Sequence, residues 1–328
     1  MAEGTHKPDS RIITESLVDA GLEVSRRLGV AAILVYADAF EGYEAVSDFI
    51  ARAGEMKAIV VTRDAGACAS CEKMGATSLR VPDVRLTRVG QVKVAVLLAA
   101  SRRIIGHDDR VLCLSGIAKS GVLDSLFVAS VGEEFELFAA DGTEQIPHHV
   151  RTEVFERVLD LAIQLGAEGR EGRPVGTIFV LGDTDAVLRH SEQLILNPFR
   201  GYPKEERNIL DPELAETVKE FSTLDGAFLI REDGTVETAG CYLRSTIPGQ
   251  PLRRGLGARH KSAAAVTAAT DAVSITVSES TGNVTVYENG KMLFEIEKPL
   301  PTPSAARGAG HVHEDVDEDM PAGGEGGG

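Results

Sequence analysis

The stretch AAILVYADAFEGYEAVSDFIARAGEMKAIVVTR, residues 31–63, sets the architecture that we expect for the first part of the chain. It begins and ends with AAILVYA and KAIVVTR, two short apolar runs that are typical of buried strands. Between them, YEAVSDFIARAGE has the apolar spacing of a helix. A strand, a helix and a second strand in this order are typical of a sheet with parallel strands.

The same alternation continues on both sides of this stretch. IITESLVDAGLEVSRRL before it and VGQVKVAVLLAASRRI after it have helical periodicity, and RVLCLSG and LDSLFVASV are apolar runs rich in Val and Leu. We therefore predict a doubly wound α/β sheet, and we assign residues 1–140 to this first unit.

A polar segment with a Gly and a Pro interrupts the pattern and predicts a linker at residues 141–150. Beyond it, helices such as PELAETVKEF are mixed with strands such as PVGTIFVLG and GAFLIR, so we expect a second unit at residues 151–299. The strands AVSITVSE and NVTVYENG are bridged by residues 280–282, which predicts a hairpin. Residues 300–328 are rich in Gly, Pro and acids and are predicted to be disordered.

Length and charge restrict the classes of function. The chain has 328 residues, of which 43% are hydrophobic, enough for more than one core. Its 50 acidic and 34 basic residues give a formal charge of -16, which argues against nucleic-acid binding and, spread along the chain, is typical of a halophilic organism. The N-terminus is polar and no apolar run reaches the roughly 18 to 20 residues of a membrane span, so we expect a cytoplasmic protein without membrane contact.

The four cysteines are too few and too scattered for a disulfide framework. Cys68 and Cys71 form a C-x-x-C motif, but no second pair follows at the spacing of a zinc ribbon. We interpret them as small residues that pack a helix between two strands, with metal or redox chemistry as the alternative. His311 and His313 lie in the acidic tail, where a solvated tail is a better interpretation than a metal site.

The sequence Leu224-Asp225-Gly226-Ala227 interrupts the step from the helix PELAETVKEF to the strand AFLIR. A glycine lets the backbone approach a ligand closely, and an aspartate at a strand edge can hold a divalent cation or accept a hydrogen bond from a sugar hydroxyl. An ordinary Asp-Gly turn is the alternative.

A second cluster, GLGARHKSAAA at residues 255–265, places three basic residues where a helix begins near Ala258. Its glycines, Gly255 and Gly257, leave backbone amides accessible at the positive end of the helix dipole. With the side chains of Arg259, His260 and Lys261, this combination suits a polyphosphate. The alternative, a basic helix start on the surface, is electrostatically unfavourable because the dipole prefers acids there.

These two clusters and the strand ending VSESTG resemble, in order and spacing, the DGA and RHR signatures of the diadenylate cyclase domain. The resemblance extends to GRPVGTIFVLGD, NPFRGY, NILDP and GCYL, and so covers nearly all of residues 151–298. The first unit resembles the C-terminal domain of pyruvate kinase, most plainly in DDRVLCLSGIAKSGVLDSLFVASV. This pairing is that of the archaeal class of diadenylate cyclases, and it implies a doubly wound domain followed by an α/β cyclase domain with a mixed central sheet.

The resemblance implies that two ATP molecules are joined into cyclic di-AMP, with release of two pyrophosphates and with Mg²⁺ or Mn²⁺ as the divalent cation. Asp225 would meet both the attacking 3′-hydroxyl and the metal. The residues matching the catalytic signatures are Asp225, Gly226, Ala227, Arg259, His260 and Lys261. Those that would bind ATP are Gly226, Gly257, Ala258, Arg259, His260, Lys261, Ser278 and Glu279, together with Tyr242 and Leu243 beside the adenine.

The resemblance also implies a homo-oligomer in which two cyclase domains face each other, because the chain holds one LDGA and one GARHK while the reaction uses two nucleotides. For the first unit it implies a regulatory or oligomerising role and a pocket for a small-molecule effector. Pyruvate kinase chemistry is not expected, because the catalytic barrel of that enzyme is missing.

The sequence departs from the family at three positions. The usual RHR ends in Lys261, which keeps the charge but lacks the bidentate fork of arginine. The Thr that commonly precedes this triplet is Ala258, and Glu279 is followed by Ser280 where bacterial relatives often have a second acid. A nucleotide sensor without turnover is the main alternative function. A small-molecule binding protein built on the first unit is a third, and it leaves the second unit unexplained.

Overall fold

The computed structural model describes residues 10–134, 149–244 and 257–298. The linker predicted at 141–150 lies outside the described residues except for its last two, and so do the tail at 300–328 with His311 and His313, and Gly255. Within the described residues, none of the helices is both long enough and apolar enough to cross a membrane.

The first unit contains a five-stranded sheet with the strand order β3-β2-β1-β4-β5. Its helices and strands are α1 Ser10–Leu28, β1 Ala32–Tyr36, α2 Tyr43–Ala53, β2 Ala58–Thr62, α3 Ala65–Lys73, β3 Thr77–Arg80, α4 Arg88–Ser101, β4 Arg110–Gly116, β5 Leu123–Ser130 and α5 Val131–Glu134. The first four strands in this order are parallel to one another, and β5 is an antiparallel edge strand. The predicted doubly wound α/β sheet is confirmed.

Strand β1 lies at the centre of this sheet and is buried along its whole length. Ile33 and Val35 face α1 and α2 in one apolar cluster, whereas Leu34 and Tyr36 belong to a second cluster that includes α4. Because both faces are covered, the strand is apolar at every position instead of alternating, which is why its sequence is a continuous hydrophobic run.

The second unit contains a seven-stranded mixed sheet with the order β12-β11-β10-β6-β8-β9-β7. Its elements are α6 Thr152–Glu168, β6 Thr177–Leu181, α7 Thr184–Arg189, β7 Ser191–Gln193, α8 Leu214–Phe221, β8 Ala227–Ile230, β9 Val236–Leu243, α9 Ala258–Ala269, β10 Val273–Val277, β11 Val284–Glu288 and β12 Lys291–Ile296. Strands β6 and β8 are parallel, and the other neighbours are antiparallel. The mixed central sheet and the β10–β11 hairpin are confirmed.

The two units share one apolar core. Side chains of α4 in the first unit and of α6 and the second sheet belong to a single buried cluster that includes Leu97, Phe155 and Phe179. Polar contacts join the same elements, since Lys93 Nζ donates to the carbonyl oxygen of Glu295 at 3.0 Å. The domain boundaries assigned from the sequence therefore stay predictions, because the core is continuous across them.

Candidate active site

A cleft of about 910 Å³ lies at one end of the second sheet. Its size is in the range of small-molecule and cofactor sites. The wall combines the segment before β8, the end of β9, the first turn of α9 and the turn after β10. Its residues are Pro174, Ile178, Leu194, Asp225, Gly226, Cys241, Tyr242, Leu243, Gly257, Ala258, Arg259, His260, Ser262, Ser278, Glu279 and Ser280.

Gly226 positions the aspartate of the LDGA sequence. Its φ of +111° belongs to a region that residues with a side chain rarely adopt, and a Cβ atom here would lie 2.6 Å from the carbonyl carbon of Gly240. The glycine thus lets β8 begin directly against β9. Asp225 is left at the mouth of the cleft with its side chain 93% exposed, so its carboxylate can reach a ligand.

The first turn of α9 opens into the cleft. Gly257 is its N-cap, no side chain caps the helix, and the first turn contains no acid. Free backbone N–H groups and the positive end of the helix dipole therefore meet the cleft at Gly257 and Ala258, as a site for an anion requires. The alanines that follow are strong helix formers and buried, which fixes the direction of the helix.

Arg259 joins the two acids of the cleft. Its Nη1 lies 2.9 Å from Glu279 Oε2, and its Nη2 lies 3.7 Å from Asp225 Oδ1. Gly176 makes room for this arrangement, because a Cβ atom there would lie 2.6 Å from Arg259 Nη1. The sequence analysis did not identify Gly176, and the only signal for it is its place in the GRPVGTIFVLGD match.

His260 is half-buried beside Arg259, with its ring edge-on to Tyr287 at a centroid distance of 6.1 Å and an angle of 80°. Burial lowers the pKa of its imidazole; the charge of Glu295 raises this pKa and that of Arg259 lowers it, so the net direction is downward. His260 is therefore neutral near pH 7 and offers one N–H donor and one lone pair to a ligand.

The turn after β10 forms the wall opposite α9. Ser278 Oγ lies 3.3 Å from Ser280 Oγ and accepts a hydrogen bond from the backbone N–H of Thr281 at 3.3 Å. This holds both hydroxyl groups and the carboxylate of Glu279 along the cleft. The turn thus offers hydroxyl donors to an anionic ligand.

The remaining wall is apolar and comes mainly from β9. Tyr242 is 47% exposed, whereas Leu243 is buried in the cluster that contains Ile178. Both residues line the cleft together with Ile178, and an exposed aromatic ring beside aliphatic side chains can hold a planar base. Leu194 completes this wall and was not predicted from the sequence, because one apolar residue within the run LIL gives no sign of a ligand.

Two of the residues assigned from the resemblance lie outside the cleft wall. Ala227 is fully buried in β8 beneath the site. Lys261 follows His260 on α9, and consecutive helical residues point in directions about 100° apart, so it leaves the cleft. All the other assigned residues meet at the cleft: Asp225, Gly226, Tyr242, Leu243, Gly257, Ala258, Arg259, His260, Ser278 and Glu279.

The donor set of the cleft fits a metal that is bound partly by its substrate. In the part of the chain that the structure describes, no group of three or more His, Cys, Asp or Glu residues is arranged to hold a metal ion. The cleft offers two carboxylates, those of Asp225 and Glu279. Mg²⁺ is commonly held by one or two carboxylates together with substrate phosphates, so these residues suffice only when a nucleotide is present.

Known protein families match both units. A family model described as DisA bacterial checkpoint controller nucleotide-binding matches residues 164–292, which contain the whole cleft. Another, described as probable sensor domain DacZ_P, matches residues 14–138, which contain the first sheet. The order of the two matches is the order of the two units.

Curated relatives are similar along most of the chain. A diadenylate cyclase of Methanocaldococcus jannaschii is 29% identical over 306 residues, which are 87% of this chain and 97% of the relative. A diadenylate cyclase of Haloferax volcanii is 36% identical over 212 residues, which are 63% of this chain and 75% of the relative. The two carry the same name.

Solved structures match less than half of the chain each. A crystal structure of DacA from Staphylococcus aureus is 20% identical, with a TM-score of 0.29, and the match covers 44% of this chain and 86% of that one. A pyruvate kinase from Cryptosporidium parvum is 13% identical, with a TM-score of 0.30, and the match covers 38% of this chain and 23% of that one.

Proposed function

Because this chain belongs to the diadenylate cyclase family of nucleotidyltransferases, we propose that it condenses two ATP molecules into cyclic di-AMP and releases two pyrophosphates. The observation that carries the proposal is the pairing of Arg259 with Asp225 and Glu279 at the open start of α9. One cleft thus contains a guanidinium that can bind phosphate, a carboxylate that can accept a hydrogen bond from a hydroxyl, and the free backbone N–H groups of the helix start.

The reaction requires each 3′-hydroxyl to attack the α-phosphorus of the other nucleotide in line with the departing pyrophosphate. The protein therefore acts mainly by orienting groups and by neutralising charge. We assign the 3′-hydroxyl to Asp225, and the phosphates to Arg259, His260, Ser278 and the start of α9. We assign the adenine to Tyr242 and Leu243 on the apolar side of the cleft.

The charge balance of the cleft supports a requirement for a divalent cation. Among the cleft residues that the structure describes, two carboxylates face one guanidinium, and the lowered pKa of His260 leaves its imidazole neutral. ATP would add several negative charges to a cleft that is already negative, so its binding needs a cation such as Mg²⁺ or Mn²⁺. Such a cation neutralises the phosphates and polarises the reacting phosphorus.

We further propose that two chains face each other across the cleft. One cleft holds one set of binding residues, and Asp225 lies at its open mouth, where the nucleotide of a second copy can reach it. Beside the cleft, the segment 194–196 presents three exposed apolar residues, of which Leu196 is 94% exposed. Exposed apolar surface of this kind commonly marks a protein contact.

For the first unit we propose a regulatory role with a small-molecule effector. A cavity of about 290 Å³ lies at the carboxyl ends of β1 and β2, where open α/β sheets commonly bind ligands. Its wall includes Asp38, Thr62, Arg63 and Tyr43. A cavity of this size suits a molecule smaller than ATP.

The test is to incubate the purified chain with ATP and either Mg²⁺ or Mn²⁺ and to analyse the products by mass spectrometry. We expect cyclic di-AMP, and none when the cation is removed with a chelator. Calorimetric binding of ATP without product under either cation would instead support a nucleotide sensor.

A further inference from the structure

Cys68 and Cys71 lie on α3, far along the chain from the residues of the proposed function, and both are free thiols. Residues three apart in a helix point to the same side. In a regular helix their Cα atoms are about 5 Å apart, inside the roughly 4.4 to 6.8 Å that a disulfide bridges. The backbone therefore permits a bond between these two sulfur atoms.

The two thiols differ in accessibility. Cys68 is half-buried, whereas Cys71 is 1% exposed and packs in the apolar cluster with Phe49 and Val60. Burial raises the pKa of the Cys71 thiol, and the charges of Cys68 and Glu72 raise it further. A reagent in solution can therefore reach Cys68, while Cys71 can react only with a group that is already beside it.

Polar groups surround Cys68 and favour its reaction. Its Sγ lies 2.8 Å from Ser78 Oγ and donates to Glu72 Oε1 at 3.8 Å. The guanidinium of Arg102 lies close by, with Nη1 3.5 Å from the carbonyl oxygen of Ser78. The S–H of Cys68 thus points at a carboxylate that can accept its proton when the sulfur reacts.

The same cluster extends to the contact between the two units. Ser78 belongs to β3, one of the two edge strands of the first sheet. Arg102, which touches Ser78, also forms a bidentate ion pair with Glu156 of α6, with Nε to Oε1 at 2.7 Å and Nη2 to Oε2 at 2.9 Å. Cys68 is therefore connected to α6 by three contacts, through Ser78 and Arg102.

We propose that Cys68 and Cys71 form a redox pair that is oxidised by small disulfide compounds, and that their disulfide loosens the contact of β3 and Arg102 with α6. Cys68 passes its proton to Glu72, and the thiolate attacks one sulfur of the compound. The S–S bond of the compound breaks, and the departing thiolate takes up a proton. The Cys71 sulfur then attacks the Cys68 sulfur, and the second half of the compound leaves as a thiol with the proton of Cys71. The product is a Cys68–Cys71 disulfide, so two protein thiols are oxidised while the disulfide of the compound is reduced.

The coupling to α6 follows from the movement that the bond requires. To bond with buried Cys71, the Sγ of Cys68 has to turn toward the side of α3 that packs in the core. It then loses its contacts with Ser78 and Glu72. Ser78 Oγ also donates to Glu72 Oε1 at 2.9 Å, so the loss of Cys68 shifts both partners. The carbonyl of Ser78 is held by Arg102, so β3 and the Arg102–Glu156 pair move together.

The first test follows the chemistry by mass. The full chain is incubated with oxidised glutathione, its remaining thiols are alkylated, and intact and peptide masses are measured. We expect a Cys68–Cys71 disulfide in the parental chain, a stable single glutathione adduct in Cys71→Ser, and no reaction in Cys68→Ser. Cys113 and Cys241 are buried and serve as internal controls. A glutathione adduct that persists in the parental chain, or equal reactivity of Cys68→Ser, would overturn the proposal.

The second test measures the contact with α6. Amide hydrogen exchange is compared between the oxidised and reduced forms of the parental chain and of Cys71→Ser. We expect exchange in β3 and the first turns of α6 to be roughly threefold faster in the oxidised parental chain, the size expected for the loss of one partly exposed ion pair. Exchange at β10 and β11 is the reference within the same sample. An oxidised chain with unchanged exchange in α6 would refute the coupling. Neither test uses ATP, so both are independent of the proposed catalysis.

Discussion

At the scale of single residues, Arg259 controls the charge of the cleft. It is held between Asp225 and Glu279, and these contacts orient its guanidinium within the cleft. A phosphate and a carboxylate compete for the same N–H donors. A cation bound to the carboxylates would release the arginine for the phosphates, which connects metal binding with nucleotide binding.

Asp225→Asn should abolish formation of cyclic di-AMP, because the amide keeps the shape but loses the charge that holds the hydroxyl and the cation. ATP affinity should stay within about threefold, because the loss of one negative charge from the cleft offsets the weaker hold on the cation. Product formation is measured by mass spectrometry and affinity by calorimetry. Asp185→Asn is the matched control, since Asp185 pairs with Arg231 at 3.4 Å outside the cleft. Production at the parental rate by Asp225→Asn would remove this assignment.

Arg259→Ala should weaken ATP binding by roughly tenfold to a hundredfold, because charge-assisted hydrogen bonds contribute about 1.5 to 3 kcal/mol each. Calorimetry in an Asp225→Asn background avoids turnover. Arg231→Ala is the control, because Arg231 also contacts two carboxylates, Glu237 at 2.8 Å and Asp185 at 3.4 Å, away from the cleft. Equal ATP affinities of the two variants would mean that Arg259 pairs with the neighbouring carboxylates and does not bind the phosphates.

At the scale of secondary structure elements, the sequence predicts most of the architecture but not the pairing at the site. Continuous apolar runs and helical spacing were enough for β1, α2 and β2, because both faces of the sheet are covered. Strand β7 was missed, since its three residues pair with β9 only through long-range register. The Arg259–Glu279 contact depends likewise on how α9 packs beside the β10–β11 turn, which no local pattern encodes.

The burial of Glu288 is a second feature that the local sequence pattern does not predict. Its alternation with Val284 and Val286 puts it on their side of β11, and it is only 8% exposed. Oε2 has no hydrogen-bond partner, and burial raises the pKa of this carboxyl to about 7. From the sequence alone, a glutamate at the end of a strand is expected to be solvated.

Glu288→Gln should stabilise the protein above about pH 7. The folded chain binds this proton more tightly than the unfolded chain, whose glutamates titrate near 4.5, so parental stability falls as pH rises from about 4.5 to about 7. The amide removes that loss, a gain on the order of 2 to 3 kcal/mol at about pH 8 and near zero at about pH 4. Urea unfolding at both pH values tests this, with the exposed Glu297→Gln as control. If Glu288→Gln raised the free energy of unfolding by the same amount at both pH values, the gain would not come from removing a buried charge.

At the scale of the whole molecule, the two units are mechanically connected, whereas the cleft faces outward. Leu97 of α4 and Phe155 of α6 lie in one core, so the first unit cannot move far without repacking the second. The open cleft and the apolar segment 194–196 are on the surface of the second unit. If two copies pair through the second unit as proposed, a change in the first unit can reach that contact through the shared core.

If two copies share the reaction, activity per chain should rise with protein concentration until pairing saturates, unless a contact through the first unit keeps the chains together at every dilution. Mixing is the sharper experiment. With random pairing, equal amounts of parental and Asp225→Asn chains should keep about one quarter of the activity of the same total amount of parental chain, because each half-reaction needs its own aspartate.

Asp185→Asn, mixed in the same way, should leave activity unchanged, since it keeps the cleft intact.

Leu196→Glu should lower activity at low protein concentration and recover part of it at high concentration, because a charge on a 94% exposed position disturbs association more than folding. Light scattering measures association under the same conditions. A strictly monomeric chain, with an activity per parental subunit that neither dilution nor excess Asp225→Asn chain changes, would show that one cleft completes the reaction by itself.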